Sequence, residues 1–217
     1  MSENSELKQV LHVGCGFNTI DNLPAGFRDG TWAEVRFDID PAVKPDRVGT
    51  ITEMSEVETE SVDALFSSHN IEHVFPHEVP EVLAEFRRVL KPNGFVVITC
   101  PDLMTVAEQI VEKGLLEPLY VSPAGPITPL DILYGHIDAV AEGRVYMAHK
   151  TGFTEALLRR DLGRAGFGRM GTVRRPSAID LWALAIKNEG EQADLTTMFQ
   201  RFTFVNVREN ASVHKRV

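Results

Sequence analysis

The sequence has 217 residues, of which 43% are hydrophobic and 24% are charged, and its formal net charge at pH 7 is −9. This size suits one domain with a proper core, and the acidic balance with scattered lysine and arginine argues against nucleic-acid binding. Without an apolar run of about 18 residues or a secretory signal pattern, we expect a cytoplasmic protein with reduced cysteines and no membrane partner.

Patterns typical of strands and helices alternate along the chain. The hydrophobic patterns predict strands at residues 9–13, 33–38, 62–67, 94–100, 168–175 and 180–187. Apolar residues at helical spacing predict a helix over residues 79–90, which residues 91–94 end. A second helix is predicted between the N-cap Thr154 and Gly166. This alternation predicts an α/β fold with a doubly wound, mostly parallel sheet.

The first two predicted strands end in residue types that contact nucleoside cofactors. The first is followed by Gly-Cys-Gly at residues 14–16, and a Gly-x-Gly turn lets the backbone approach a ligand closely. The second ends at Asp38, whose carboxylate could accept hydrogen bonds from both hydroxyls of a ribose. Asp40, two residues further on, could instead cap the following turn. Because ligands bind beyond the carboxyl ends of such strands, we expect a nucleoside-containing cofactor there.

Residues 115–150 interrupt the strand–helix alternation and form what we call the cover segment. Prolines break this segment, and it is too long to be only a connector. Because it follows the fourth predicted strand, we expect it to cover the cofactor edge of the sheet and to hold a substrate. The residues expected to border an acceptor pocket are its polar aromatics, Tyr134, His136, Tyr146 and His149. The tail at residues 188–217 could pack on the domain or on a second subunit of a homodimer.

Four segments in order resemble the successive motifs of the class I S-adenosylmethionine-dependent methyltransferases. They are residues 11–16, 37–41, 62–73 and 87–94, and residues 149–154 resemble the usual ending of these proteins. The closest resemblance is to small methyltransferases of the methyltransferase-11-like type, which are often associated with polysaccharide or glycoside modification. It covers residues 9–187. It implies a seven-stranded Rossmann-like sheet, an antiparallel strand near the C-terminus and S-adenosyl-L-methionine as cofactor.

The resemblance also implies a domain organisation and a set of cofactor contacts. We expect a methyltransferase domain at residues 1–187, which includes the cover segment, and a C-terminal tail at residues 188–217. The implied cofactor-binding residues are Gly14, Cys15, Gly16, Asp38, Ile39, Thr50, Ile51, Ser68 and His69. This sequence departs from the family pattern in having His12 in place of an acid, Asn18 in place of a third glycine and Thr50 in place of an acid near the adenine. The methionine amino group would then be held by backbone or water.

For methyl transfer from a sulfonium, a protein mainly has to position the two reactants and exclude water. An unionised hydroxyl acceptor would also need a base, for which histidine has a suitable pKa. The candidate bases are His69, His136 and His149, with His73 as a further one, although each could be a structural histidine. Cys15 is interpreted as a small strand-end residue rather than a nucleophile. The spacing of histidines and acids is not typical of a metal site, and none is expected.

Two other classes of function stay open. A nicotinamide-dependent oxidoreductase is disfavoured, because Thr19 stands where the third glycine of the dinucleotide-binding motif belongs. A non-catalytic module that binds S-adenosylmethionine is compatible with His12 and Asn18. For the leading hypothesis, a methyltransferase, we expect a small-molecule or sugar-like acceptor, and the sequence leaves the methylated atom open.

Overall fold

The computed structural model describes residues 7–122, 125–188 and 194–205. Their strands are β1 (Lys8–Val13), β2 (Trp32–Asp38), β3 (Arg47–Val48), β4 (Val62–Ser68), β5 (Leu90–Pro101), β6 (Tyr120–Ser122), β7 (Gly125–Ile127), β8 (Met170–Arg175) and β9 (Asp180–Ile186). Seven of them form one sheet in the order β3-β2-β1-β4-β5-β9-β8, and β6 and β7 form a separate antiparallel pair. Strand β9 runs antiparallel to both of its neighbours, whereas the pairs from β3 to β5 are parallel. The predicted fold class is confirmed.

Helices cover both faces of the large sheet. They are α1 (Val79–Val89), α2 (Leu103–Lys113), α3 (Pro129–Tyr134), α4 (Ile137–Ala141), α5 (Glu155–Arg164) and α6 (Leu195–Phe202). On one face, α1 and α5 bury their apolar residues against Leu11 and Val13 of β1. On the other face, α6 packs in the cluster that contains Val10. Alternate residues of β1 thus point to opposite layers, as the period of a strand requires. Within the described ranges, no helix is both long and apolar enough to cross a membrane.

Strand β5 is longer than predicted. Helix α1 ends at Val89, close to the expected position, but the chain enters the sheet directly at Leu90. The pairing with β4 is irregular there, because Val62 pairs with Leu90 and Ala64 pairs with Phe95. This shift absorbs residues 91–94 as a bulge, so the residues that stop the helix lie within the strand.

The face that α6 covers has only short 3₁₀ turns after β1, at Ile20–Asn22 and Ala25–Phe27. Helix α6 approaches the second turn so closely that a Cβ on Gly26 would lie 2.6 Å from Cγ of Arg201. Phe202 of α6 packs its ring 4.9 Å from that of Phe27 and 4.8 Å from that of Phe95. Residues 195–205 of the tail therefore pack on the same domain, and residues 206–217 lie outside the described residues.

The cover segment folds around its own caps and a small apolar cluster. Ile132 of α3 packs with Val106 of α2 and with Ile179. Thr128 caps α3 by accepting a hydrogen bond from the backbone N–H of Asp131. A 3₁₀ turn at Val145–Met147 follows α4 and brings the end of the segment back to the sheet. Helix α3 of the segment thus packs on α2.

Candidate functional site

A cavity of about 400 Å³ opens beyond the carboxyl ends of β1, β2 and β4. Its wall combines residues that follow these strands with the end of the cover segment. The first group includes Gly14, Gly16, Asp38, Ile39, Asp40, Thr50, Ile51, His69, Asn70 and His73, and the second consists of Arg144, Tyr146, Met147 and Lys150. Binding sites of doubly wound sheets occur at this edge, and the volume lies in the range of small-molecule sites.

The turn after β1 is built from glycines because of both its conformation and its surroundings. Gly14 has φ +62° and Gly16 has φ +53°, in the left-handed region that favours glycine. A Cβ on Gly14 would also lie 2.5 Å from Cγ of Asn70, closer than real Cβ contacts. The N–H of Gly14 donates a hydrogen bond of 2.9 Å to the carbonyl of Phe37. The turn is therefore held against β2, and Gly14 has no room for a side chain.

Asp38 is fixed at the cavity wall by two backbone hydrogen bonds. Its Oδ2 accepts from the N–H of Gly16 at 2.8 Å, and its Oδ1 accepts from the N–H of Asp40 at 2.9 Å. The residue is only 8% exposed. Each carboxylate oxygen keeps a further lone pair for an added donor. Asp38 thus presents two oriented acceptors beside the glycine turn, which suits a pair of neighbouring hydroxyls.

Arg36, which was not predicted as a site residue, holds together the loops on either side of Asp38. Its guanidinium donates to the carbonyls of Asn18 at 3.1 Å, Lys44 at 2.8 Å and Val43 at 3.2 Å. Arg36 and Asp38 lie two residues apart on β2 and so share one side of the strand. This alternation was the signal that could have identified Arg36. The carbonyl of Asn18, which stands in place of a glycine, is one of the groups that Arg36 binds.

His12 forms part of a buried pair outside the cavity wall. Its Nδ1 lies 2.7 Å from Oε1 of Glu34, and the other carboxylate oxygen of Glu34 accepts from the N–H of Ile20 at 2.7 Å. The imidazole also packs edge-on against Phe66, with ring centroids 5.5 Å apart. The departure from the family pattern at His12 therefore comes with an acid on the neighbouring strand, and the pair ties β1 and β2 to the following turn.

The structure brings most of the predicted cofactor-binding residues to the cavity wall. Those on the wall are Gly14, Gly16, Asp38, Ile39, Thr50, Ile51 and His69. Cys15 and Ser68 are not among the lining residues, although each lies next to one that is. Cys15 is fully buried, and burial raises the pKa of its thiol to about 11. Its side chain therefore packs within the protein, as its interpretation as a strand-end residue expects.

Both thiols are expected to resist alkylation while the protein is folded. Burial also raises the pKa of Cys100 well above its ordinary value. For Cys15, the rise from 9.0 to about 11 lowers the thiolate fraction at pH 8 roughly a hundredfold, and only the thiolate reacts. Mass spectrometry after iodoacetamide treatment should show an unmodified native protein and two labelled cysteines in urea. Rapid labelling of the native protein would contradict the buried placement.

The three histidines predicted as catalytic lie in different settings. His69 lines the cavity directly after β4, with φ +48°, and its side chain is 54% exposed. Left-handed backbone at a residue other than glycine is uncommon and clusters at ligand sites. His136 is not on the wall, because Nδ1 of its ring accepts the N–H of Ala139 at 3.2 Å and caps α4. His149 lies behind the wall, in contact with His73.

Among the tyrosines of the cover segment, one lines the cavity and another lies outside its wall. Tyr146 lines the cavity, and its hydroxyl donates a hydrogen bond of 2.8 Å to Oδ2 of Asp40. This bond joins the cover segment to the end of β2. Tyr134 is 63% exposed and, like His136, lies outside the wall. Among the described residues of the segment, those that line the cavity therefore lie near its end, between Arg144 and Lys150.

Glu72 lies at the centre of a cluster of histidines beside the cavity. It is 1% exposed, and neither of its carboxylate oxygens has a hydrogen-bond partner. Its Oε1 lies 3.5 Å from Nδ1 of His69 and 4.0 Å from Nε2 of His149. The rings of His73 and His149 meet edge-on, 4.8 Å between centroids. Burial alone would raise the pKa of Glu72, but the adjacent His69 side chain outweighs burial and lowers that pKa.

The sheet, with a glycine turn and an oriented acid at its carboxyl edge, matches the Rossmann-like fold of class I S-adenosylmethionine-dependent methyltransferases. A family model described as a methyltransferase domain matches residues 11–98 of the chain. The resemblance seen in the sequence is thereby confirmed. The match includes the glycine turn, Asp38 and the histidines that follow β4. A search of curated proteins finds no match.

Solved structures share the fold at low sequence identity. A protein from Pyrococcus horikoshii matches with a TM-score of 0.55 and 15% identity over 85% of this chain and 84% of its own. The Burkholderia thailandensis 1,6-didemethyltoxoflavin-N1-methyltransferase matches with a TM-score of 0.51 and 17% identity, over 85% of this chain and 72% of its own. This chain spans 48% of the CMeT domain of the citrinin polyketide synthase and 63% of a protein from Bordetella parapertussis.

Proposed function

We propose that this protein transfers a methyl group from S-adenosylmethionine, bound in the cavity, to a small-molecule or sugar-like acceptor held under the cover segment. The observation that carries the proposal is the placement of Asp38, whose two oriented oxygens adjoin the glycine turn. S-adenosylmethionine supplies an electrophilic methyl group on a sulfonium. Residues 1–187 would form the catalytic domain, with residues 115–150 as its acceptor cover.

The residues on the wall suit the separate parts of the cofactor. Asp38 would accept hydrogen bonds from the ribose hydroxyls, and the apolar side chains of Ile39 and Ile51 would contact the adenine. The glycine turn would let the backbone approach the methionine portion closely. Asn70 offers a further donor, because its Nδ2 is buried without a partner while the residue lines the cavity. An orphaned donor of this kind suits the cofactor's carboxylate.

The acceptor would bind between the cofactor and the end of the cover segment. Tyr146 and Met147 give this part of the wall an aromatic and an apolar surface, and Lys150 adds a positive charge. The Burkholderia thailandensis enzyme was solved with 1,6-didemethyltoxoflavin and S-adenosylhomocysteine bound. A protein with this fold can thus bind a small acceptor and the cofactor product together, which supports the binding of both ligands in the present cavity. His69 is the histidine of the wall best placed to accept a proton from an acceptor hydroxyl.

Replacing Asp38 with alanine is expected to weaken S-adenosylmethionine binding by about 1–3 kcal/mol, or roughly fivefold to 150-fold. The variant loses the proposed acceptor for the ribose hydroxyls and also releases the N–H groups of Gly16 and Asp40. Isothermal titration calorimetry with S-adenosylmethionine and S-adenosylhomocysteine measures the effect. Asp21→Ala, which removes an exposed acid outside the cavity, is the matched control. Equal affinities of Asp38→Ala and the wild type would overturn this assignment.

A non-catalytic module that binds S-adenosylmethionine is the second candidate, and turnover separates it from an enzyme. Radiolabelled methyl transfer should be assayed with acceptors that carry sugar, phenol and amine groups. Labelled product from the wild type supports the enzyme, and its loss in Asp38→Ala links turnover to the cavity. Tight cofactor binding without transfer to any of these acceptor classes would favour the module.

A further inference from the structure

His73 and His149 each have a fixed ring orientation and tautomer. Nδ1 of His73 lies 3.1 Å from the carbonyl oxygen of Ala148, and Nδ1 of His149 lies 2.7 Å from that of Ile132. A carbonyl oxygen can only accept, so each Nδ1 carries the hydrogen and donates it. In the neutral imidazole the lone pair is then on Nε2. Histidines that bind metals are oriented by a backbone carbonyl in this same manner.

The carboxylate of Glu72 completes a set of converging ligand atoms. One ligand atom from each of Glu72, His73 and His149 lies within 4.8 Å of the others. A buried carboxylate without hydrogen bonds is costly unless a charge compensates it. The backbone carbonyl of Glu72 accepts from the N–H groups of Lys150 and Thr151 at 2.8 and 3.2 Å, which ties the 3₁₀ turn to the chain that carries His149. The three side chains are therefore held together by main-chain contacts rather than by hydrogen bonds among themselves.

We propose that Glu72, His73 and His149 bind one divalent transition-metal ion next to the acceptor end of the cavity. Two imidazoles and one carboxylate suit ions such as Zn²⁺, Co²⁺ or Mn²⁺ and leave coordination positions open. Ligand atoms on one ion with bonds of about 2.1 Å lie about 3 Å apart at adjacent positions. The 4.0 Å between Glu72 Oε1 and His149 Nε2 thus needs to shorten by about an ångström when the ion binds.

The role of this ion rests on the proposed function. His73 belongs both to the ligand set and to the cavity wall, so the ion would adjoin the space assigned to the acceptor. An acceptor with a hydroxyl group could occupy an open coordination position and be oriented there. The sequence itself does not predict this metal site. The spacing of Glu72 and His73 is uninformative by itself, and His149 joins them only through the fold.

Cobalt binding to the full-length protein tests the proposal without any need for turnover. Protein dialysed against EDTA is titrated with CoCl₂ and followed by the visible absorption of the bound ion, with Zn²⁺ and Mn²⁺ as competitors. We expect one equivalent of Co²⁺ per chain for the wild type. Glu72→Gln and His149→Ala should weaken binding about tenfold or more, because each removes one of three ligands. His77→Ala, which removes an exposed histidine stacked on Phe75 outside the ligand set, should bind like the wild type.

The same samples separate this proposal from the proposed function. Failure of the wild type to bind one equivalent of Co²⁺ would overturn the metal site whether or not S-adenosylmethionine binds. Equal Co²⁺ affinities for His77→Ala and His149→Ala would also overturn the metal site. One equivalent of Co²⁺ bound without any S-adenosylmethionine affinity would instead retain the metal site and reject the cavity assignment. Circular dichroism checks each variant, and the wild-type stoichiometry decides the outcome if both ligand variants unfold.

Discussion

Replacing Gly14 with valine is expected to lower S-adenosylmethionine affinity at least a hundredfold, about 3 kcal/mol, while the sheet stays folded. A branched side chain at φ +62° is strained, and its Cβ would meet the side chain of Asn70. The turn would have to move away from Asp38, whose Oδ2 accepts from Gly16 two residues later. The variant therefore disturbs both the close approach of the backbone and the orientation of the acid. Calorimetric titration measures the affinity.

Gly30 provides a matched control for the backbone strain. It also has a positive φ, +83°, but an added Cβ would meet nothing within 4 Å, and the residue is not on the cavity wall. Gly30→Val should thus lose some stability without losing affinity. Circular dichroism is used to check that both variants keep the sheet. Gly14→Ala is a milder change at the same position. Wild-type affinity in a folded Gly14→Val variant would rule out cofactor binding at this turn.

Replacing Phe199 with alanine is expected to lower the free energy of unfolding by about 3–5 kcal/mol, the cost of removing a fully buried phenylalanine. The side chain is 0% exposed and packs so tightly that a Cβ on Gly171 would lie 2.7 Å from its ring. Its loss leaves a cavity between α6 and the sheet. Urea denaturation followed by tryptophan fluorescence measures the change, because Trp182 belongs to the same apolar cluster.

Phe204 offers the comparison for this change, since it follows α6 and is 50% exposed. It meets Trp182 edge-on with ring centroids 5.7 Å apart, so Phe204→Ala should cost only about 1 kcal/mol. If both alanine variants lowered stability equally, the docking of α6 on the sheet would be wrong. At temperatures where Phe199→Ala stays folded, its cofactor affinity should equal that of the wild type, since the residue does not line the cavity.

The parts of the fold that could be predicted from sequence are those set by neighbouring residues. Thr154 was predicted as an N-cap, and its hydroxyl accepts from the N–H of Leu157 at 3.4 Å. The glycine turn and the acid that ends β2 could also be predicted, because each is defined by a single strand and the residues at its carboxyl end. The two-residue strand β3 gave no periodic signal and was missed.

The parts that could not be predicted depend on contacts between distant segments. His136 and His149 have the same chemistry and lie in the same cover segment, yet one caps α4 and the other meets Glu72. No local pattern distinguishes these settings, because the choice depends on how the segment folds back on the sheet. The role of Arg36 could not be predicted for the same reason, because its partners lie in two loops that meet only in the folded protein.

The position of α6 has a consequence for the order in which the protein can fold during synthesis. Phe27, Trp32 and Phe95 form an aromatic face, but their partner Phe202 lies in α6, which is synthesised after all the strands of the sheet. Until residues 195–202 leave the ribosome, this face has no helix to cover it and is exposed to other nascent chains. The fold can thus complete its second layer only after all seven strands of the sheet have been translated.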